Sequence, residues 1–207
     1  MSRPVVIGLT GGVASGKSTV ANMFQRLGAS VLDGDQVGHE VLNDPDVLSQ
    51  IQAIWGEDVL EDGVVNRKAL GNIVFGAPDR KQLSALEQIT HPIIRQRILE
   101  ELRLATLRKT IAVVLDAPLL FEAGWDQLCD KLVFVKSSLA VRTERAKTRG
   151  WTDQELKRRE DRQMDLQHKE ENSTDFIDNS SSQENTLDQV KKLWISWGLM
   201  IVEQSEN

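Results

Sequence analysis

Eight residues near the amino end have the types and spacing to hold a chain of phosphates. Gly11-Gly-Val-Ala-Ser-Gly-Lys-Ser18 fits the pattern G-x-x-x-x-G-K-[ST], with Gly11, Gly16, Lys17 and Ser18 at its fixed positions. Glycine lets the backbone curl, so Gly12, Val13, Ala14, Ser15 and Gly16 can turn N–H groups toward one anion. A helix start adds partial positive charge. Lys17 would reach the β- and γ-phosphates, and the Ser18 hydroxyl would ligate Mg²⁺. The ligand this chemistry fits is a nucleoside triphosphate with Mg²⁺. A mere Gly/Ser-rich turn would not need both flanks to be right.

The flanks are right. Val5-Val-Ile-Gly-Leu9 is a short apolar run that predicts a strand, and Thr19–Leu27 has helical spacing, with Val20, Met23, Phe24 and Leu27 on one face. Further strands are expected at 30–33, 110–116 and 131–135, with a weaker one at 176–178. Most are continuous apolar runs, as in parallel strands buried on both faces. Alternation with helical stretches predicts a doubly wound α/β fold in three layers, a P-loop NTPase fold with a parallel sheet.

The expected organisation is one domain over residues 1–207. Its core is 1–35, 105–141 and 170–207, with a helical substrate-binding insertion at about 36–104 and a helical lid at about 142–169. The insertion shows no convincing strand, and Pro92 is expected to open a new helix. Between Thr152 and Lys169 the apolar residues are only Leu156, Met164 and Leu166, too narrow a stripe for a core helix and suited to a lid over the nucleotide. Leu187–Trp197 reads as a final amphipathic helix.

Composition narrows the function classes. The chain has 207 residues, 40% hydrophobic and 27% charged, with a net charge of −6. That balance argues against general nucleic-acid binding. No apolar run is long enough to cross a bilayer, and the N-terminus has no signal-peptide pattern. Cys129, the single cysteine, can form no internal disulfide and reads as a small buried residue. These features point to a cytosolic protein with no membrane partner; a monomer or weak homo-oligomer is expected, though no sequence feature fixes it. From Arg142 to Lys169, nine Lys/Arg against six Asp/Glu give +3, leaving −9 for the rest, a pattern that suits a small anionic ligand.

A second constellation follows the second strand, at Leu32-Asp-Gly-Asp35 with His39 a turn later. A strand that follows a phosphate loop often lies near it at the same sheet edge, and ligands bind beyond strand carboxyl ends. Asp33 could then face the γ-phosphate and accept the proton of an attacking hydroxyl. Asp33 and Asp35 are candidates to bind the second substrate, although Asp35 could instead cap the next helix. Asp116 ends an apolar strand and could hold Mg²⁺ through water, or be an ordinary strand-end polar group. Arg142, Arg145 and Arg149 share a helix face. Arg145, Arg149 and Arg159 are candidate phosphate clamps, Arg145 foremost, against the alternative of a solvated helix laced with ion pairs. His39 and His91 could contact a second substrate, although a structural hydrogen bond before Pro92 suits His91 equally. No His or Cys cluster has metal-ligand spacing.

Taken in order, these segments closely resemble the dephospho-coenzyme A kinase family. The resemblance rests on Ile7–Val20 followed by Asp33-Gly-Asp35, then on 67–75, Thr90–Arg95, Asp116-Ala-Pro-Leu-Leu-Phe-Glu122, Cys129-Asp-Lys131, Arg159-x-x-x-Gln163, Lys169, Asp175 and Ile177-Asp-Asn179. Ala14 stands where the family commonly has glycine, and Gly34 where it commonly has alanine. The resemblance implies transfer of the ATP γ-phosphoryl group to the ribose 3′-hydroxyl of dephospho-coenzyme A, the last step of coenzyme A biosynthesis. The loop and lid alone would equally fit another nucleoside or nucleotide kinase. A GTP-binding switch is disfavoured, because no Asn-Lys-x-Asp segment is present.

Overall fold

The computed structural model describes residues 3–76 and 80–201. They divide into two compact units, one formed by the chain up to Asp33 and from Glu101 onward, the other by Gly34–Glu100.

The first unit is built on a parallel five-stranded sheet. Along the chain its elements start with β1 (Val5–Gly11), α1 (Lys17–Arg26) and β2 (Ser30–Asp33). In the second unit follow α2 (Gly34–Val41), α3 (Pro45–Trp55), β3 (Leu60–Glu61), β4 (Val64–Val65), α4 (Arg67–Gly76) and α5 (Lys81–Leu107), of which residues 101–107 belong to the first unit. The chain then adds β5 (Ala112–Asp116), β6 (Lys131–Lys136), α6 (Leu139–Thr148), α7 (Asp153–Glu160), α8 (Leu166–Glu171), β7 (Asp175–Asp178) and α9 (Gln183–Ser196).

The sheet order is β2-β5-β1-β6-β7. β2 is therefore not the neighbour of β1, as its place in the sequence suggests; β5 lies between them, pairing Leu9 with Asp116 on one side and Asp33 with Asp116 on the other. All pairings in this sheet are parallel, so the carboxyl ends of its strands share one edge. Apolar residues of the central strands are buried on both faces: Ile7, Leu9, Ala112, Val114, Val133 and Val135 on one, Val6, Val113, Leu115 and Phe134 on the other. Val20, Met23, Phe24 and Leu27 of the α1 segment pack onto it with Val190 and Trp194 of α9. The Phe24 ring lies 6.1 Å from that of Trp194 and 5.8 Å from that of Trp197, so the first and last helices are joined through aromatic contact.

The second unit departs from the sequence expectation twice. It contains a short antiparallel hairpin, β3 against β4, turned by Asp62 and Gly63, both at positive φ. An Asp-Gly pair between apolar residues is the usual signal for such a turn, but strands of two residues carry too little alternation to be seen. In addition, α5 runs straight through Pro92 instead of restarting there. Proline removes one main-chain donor, and the Thr90 hydroxyl already donates to the Leu86 carbonyl at 2.8 Å one turn earlier. The apolar residues Ile94 and Ile98 beyond it are buried, and their packing holds the helix together across the defect. Asp44 caps α3, accepting from the Asp46 N–H, and Pro45 follows it in the first turn. Asn66 caps α4 through the N–H groups of Lys68 and Ala69.

The stretch 152–169 is a third correction. It is two short helices, α7 and α8, separated at 161–165. The Glu122 carboxylate takes the Met164 N–H at 2.5 Å, and the Asp165 side chain caps α8. Leu156 is buried with Val13 and Ala146, Trp151 packing alongside.

Restoring an N–H at position 92 should stabilise the second unit. Pro92→Ala is expected to raise unfolding free energy by about 2 kcal/mol, the recovered helix term less the entropy proline removes from the unfolded chain. Chemical denaturation monitored by circular dichroism checks this.

Candidate active site

The glycine loop begins inside the sheet. β1 keeps its extended path to Gly11, two residues beyond the run that the sequence marks, and α1 starts at Lys17. Between them the backbone enters the left-handed region at Gly11 (φ 139°), Ala14 (φ 59°) and Gly16 (φ 92°). A Cβ at Gly11 would meet the Val135 carbonyl oxygen at 2.4 Å, so only glycine fits there. Ala14 occupies a conformation that costs an L-residue about 1–2 kcal/mol, which explains why a glycine would be the easier choice at this position.

The helix start is left bare. Gly16 is the N-cap of α1, with no side-chain cap and no acidic residue in the first turn. The N–H groups of Lys17, Ser18 and Thr19 have no intrahelical acceptor by helix geometry and can take an anion instead. Lys17 Nζ donates to the carbonyls of Gly11 (3.3 Å) and Gly12 (3.1 Å), which keeps the ammonium folded over the loop.

Three other residues come to the same sheet edge. Ser18 Oγ donates to Asp116 Oδ2 at 2.8 Å. Asp33 is in register with Asp116. Burial raises the Asp116 pKa above its ordinary value; the Ser18 hydrogen bond and Lys17 pull it down, and the Asp33 charge pushes it up. A hydroxyl and a carboxylate oxygen in contact are hard donors of the kind Mg²⁺ prefers, and Mg²⁺ commonly takes only one or two protein ligands plus phosphates. No group of three or more His, Cys, Asp or Glu side chains suited to a metal occurs among the described residues.

The arginines separate. Arg145 reaches the loop, donating to the Ser15 carbonyl at 2.8 Å, to Ser137 Oγ at 3.1 Å and to the Asn179 carbonyl at 2.8 Å. Arg149 and Arg159 instead flank the Trp151 ring, at 5.5 and 4.2 Å from its centre, and Arg159 also pairs with Glu155 one turn earlier at 2.9 Å. Arg142 is buried, paired with Glu160 of α7, and lies against Gly12. Asp35 and His39 lie in α2, with Asp35 inside the first turn, where a carboxylate favours the helix dipole, and not at the cap. His91 is on α5, and burial lowers its pKa against the opposing pull of Glu87.

Sequence reasoning assigned no role to a buried ion pair behind Asp116. Lys169, 1% exposed, donates to Glu122 at 3.1 Å, to Gln163 at 3.1 Å and to the Pro118 carbonyl at 3.4 Å. It ties the loop after β5 to α8. A lysine amid a charge run gives no sign in the sequence that it is buried. Burial pushes the Cys129 thiol up to about 12, which disfavours the thiolate.

A model of the family described as dephospho-CoA kinase matches residues 5–185. The chain belongs to the dephospho-CoA kinase family. A Latilactobacillus sakei protein named dephospho-CoA kinase is 39% identical over 187 residues, covering 89% of this chain and 90% of its own length. An Aquifex aeolicus protein of the same name is 39% identical over 190 residues, 91% of this chain and 95% of its own. Among solved structures, one from Thermus thermophilus superposes with a TM-score of 0.82 at 32% identity, covering 95% of this chain and 98% of that one. The dephospho-CoA kinase of Campylobacter jejuni gives 0.69 at 27% identity, covering 93% and 98%. A shikimate kinase from Bacteroides thetaiotaomicron, at 15% identity and a TM-score of 0.52 over 94% of this chain and 99% of its own, shares the fold alone.

The raised Asp116 pKa has a consequence for stability. A carboxyl whose folded pKa exceeds its unfolded value of 3.8 binds more protons when folded, so stability falls as pH rises through the folded pKa. Asp116→Asn keeps an acceptor for Ser18 without the charge. It is expected to raise the melting temperature at neutral pH, with the gain shrinking as pH drops toward the ordinary carboxyl range; calorimetry across pH checks this.

Proposed function

We propose that the chain transfers the γ-phosphoryl group of ATP to the ribose 3′-hydroxyl of dephospho-coenzyme A, giving coenzyme A and ADP. The observation that carries the reading is the meeting of an uncapped glycine-loop helix, the Ser18–Asp116 contact and Asp33 at one sheet edge, in a chain of this family.

Phosphoryl transfer is mostly positioning and charge stabilisation. The N–H groups from Gly12 to Thr19 hold the phosphates, and Lys17 leaves its loop carbonyls to neutralise the β- and γ-oxygens. Ser18 and Asp116 would hold Mg²⁺, which would supply neutralisation of phosphate charge there. The Asp33 carboxylate takes the proton of the acceptor hydroxyl as its oxygen bonds to the γ-phosphorus and the bond to the β-phosphate oxygen breaks. Arg145, already on the loop, and Arg149 add positive charge. Asp35, His39 and His91 contact the acceptor. No helix among the described residues is long and apolar enough to cross a membrane, and the reading places the reaction in the cytosol.

Product analysis tests the acceptor: coenzyme A should appear when dephospho-coenzyme A and Mg-ATP are supplied, and nucleosides or nucleotides should give no comparable ADP release. Lys17→Ala is expected to lower kcat by about 10²–10³-fold or more with the fold intact by circular dichroism. Asp33→Asn should lower kcat by about 10²–10⁴-fold while ATP affinity changes little, read by steady-state kinetics beside nucleotide titration.

A further inference from the structure

The phosphate loop is held from outside by the far end of the chain. The Ser15 carbonyl accepts from Arg145 Nη1 at 2.8 Å, from Ser137 Oγ at 3.0 Å and from Asn179 Nδ2 at 2.8 Å. Asn179 lies 164 residues away in sequence, directly after β7, and is 2% exposed.

Its side chain has one orientation available. The Ser15 carbonyl can only accept, so Nδ2 faces it, and Oδ1 faces Thr186 Oγ1 of α9, a fully buried hydroxyl at 3.1 Å that shares its proton with the Ser182 carbonyl at 3.2 Å. The Asn179 backbone is fixed as well. Its N–H donates to the Lys136 carbonyl at 2.8 Å, and its own carbonyl accepts from Arg145 Nη2 at 2.8 Å, with Ser137 Oγ, whose one proton is shared with the Ser15 carbonyl, at 3.0 Å. The loop is built around this amide: a Cβ on Gly16 would lie 2.2 Å from Asn179 Nδ2.

The Ser15 carbonyl and the Gly16 N–H belong to one planar trans peptide and point in opposite directions. Donors that fix the carbonyl on one side therefore aim the N–H to the other. We propose that Asn179 is a positioning residue for the reaction: its amide, with Oδ1 held against Thr186, sets the Ser15–Gly16 peptide and so aims the amides at the start of α1 at the triphosphate. The proposal rests on the loop being the triphosphate site. The anchoring of β7 and α9 does not depend on the amide, because Ile177, Val190 and Trp194 are wholly buried in the sheet core.

The test is Mg-ATP binding to the full chain by calorimetry, without acceptor, beside steady-state kinetics. Asn179→Ala should weaken Mg-ATP binding by about 10-fold or more, the cost of a lost buried hydrogen bond, while the acceptor KM stays put. Thr186→Val should shift ATP affinity the same way by less, and the double variant should fall short of the sum. Asn179→Asp sets a carboxylate against the Ser15 carbonyl. It should bind poorly at neutral pH and recover relative to wild type as the pH is lowered, since a protonated carboxyl can donate again. Unchanged ATP affinity in a folded Asn179→Ala protein overturns the proposal. If that variant does not fold, unchanged affinity in Thr186→Val does so. Wild-type protein that fails to bind Mg-ATP would instead remove the functional reading on which the proposal rests.

Discussion

The parallel pairing of β5 with both of its neighbours governs everything at the site. One strand, hydrogen-bonded to β1 on one side and β2 on the other, brings Asp116 level with Leu9 and Asp33 together. A one-residue slip in either ladder would turn every side chain of the slipped strand to the opposite face of the sheet. That register is secured by apolar side chains packed on both faces, so the geometry of a few polar groups is enforced by residues that never touch a ligand. The electrostatic cost follows directly: two carboxylates at neighbouring strand ends, one of them largely buried, oppose each other, and the Ser18 hydroxyl and Lys17 ammonium offset part of that opposition.

Much of this was legible in the chain. The glycine loop declares itself because glycine, lysine and serine at fixed spacing have few other uses, and both flanks obey the required periodicities. Asp33 and Asp116 were found because each closes a short apolar run, and parallel strands end at the ligand edge. Strand order was not legible. Nothing in the composition of β2 says that a strand from beyond residue 100 will slip between it and β1.

Two of the misreadings share a cause. Pro92 and the break at 161–165 were judged from local propensity, and in both cases contacts made elsewhere decided the outcome; the hairpin at 60–65 was missed because its strands are too short to show alternation. Ile94 and Ile98 are buried beyond the proline. Glu122 claims the Met164 N–H from 42 residues away. The arginine run was ambiguous for the same reason: Arg145 and Arg159 look alike in the chain, yet one donates to loop carbonyls and the other lies over Trp151.

The packing of Cys129 has a practical outcome. Its sulfur lies so close to Gly8 of β1 that a Cβ on that glycine would come within 2.7 Å of it, and it is the chain's single thiol. A thiol-directed reagent therefore modifies one position, beside the contact of the sheet with the segment that leads into β6. Its labelling rate follows the accessibility of that packed edge of β1, readable in intact protein without introducing any foreign reporter.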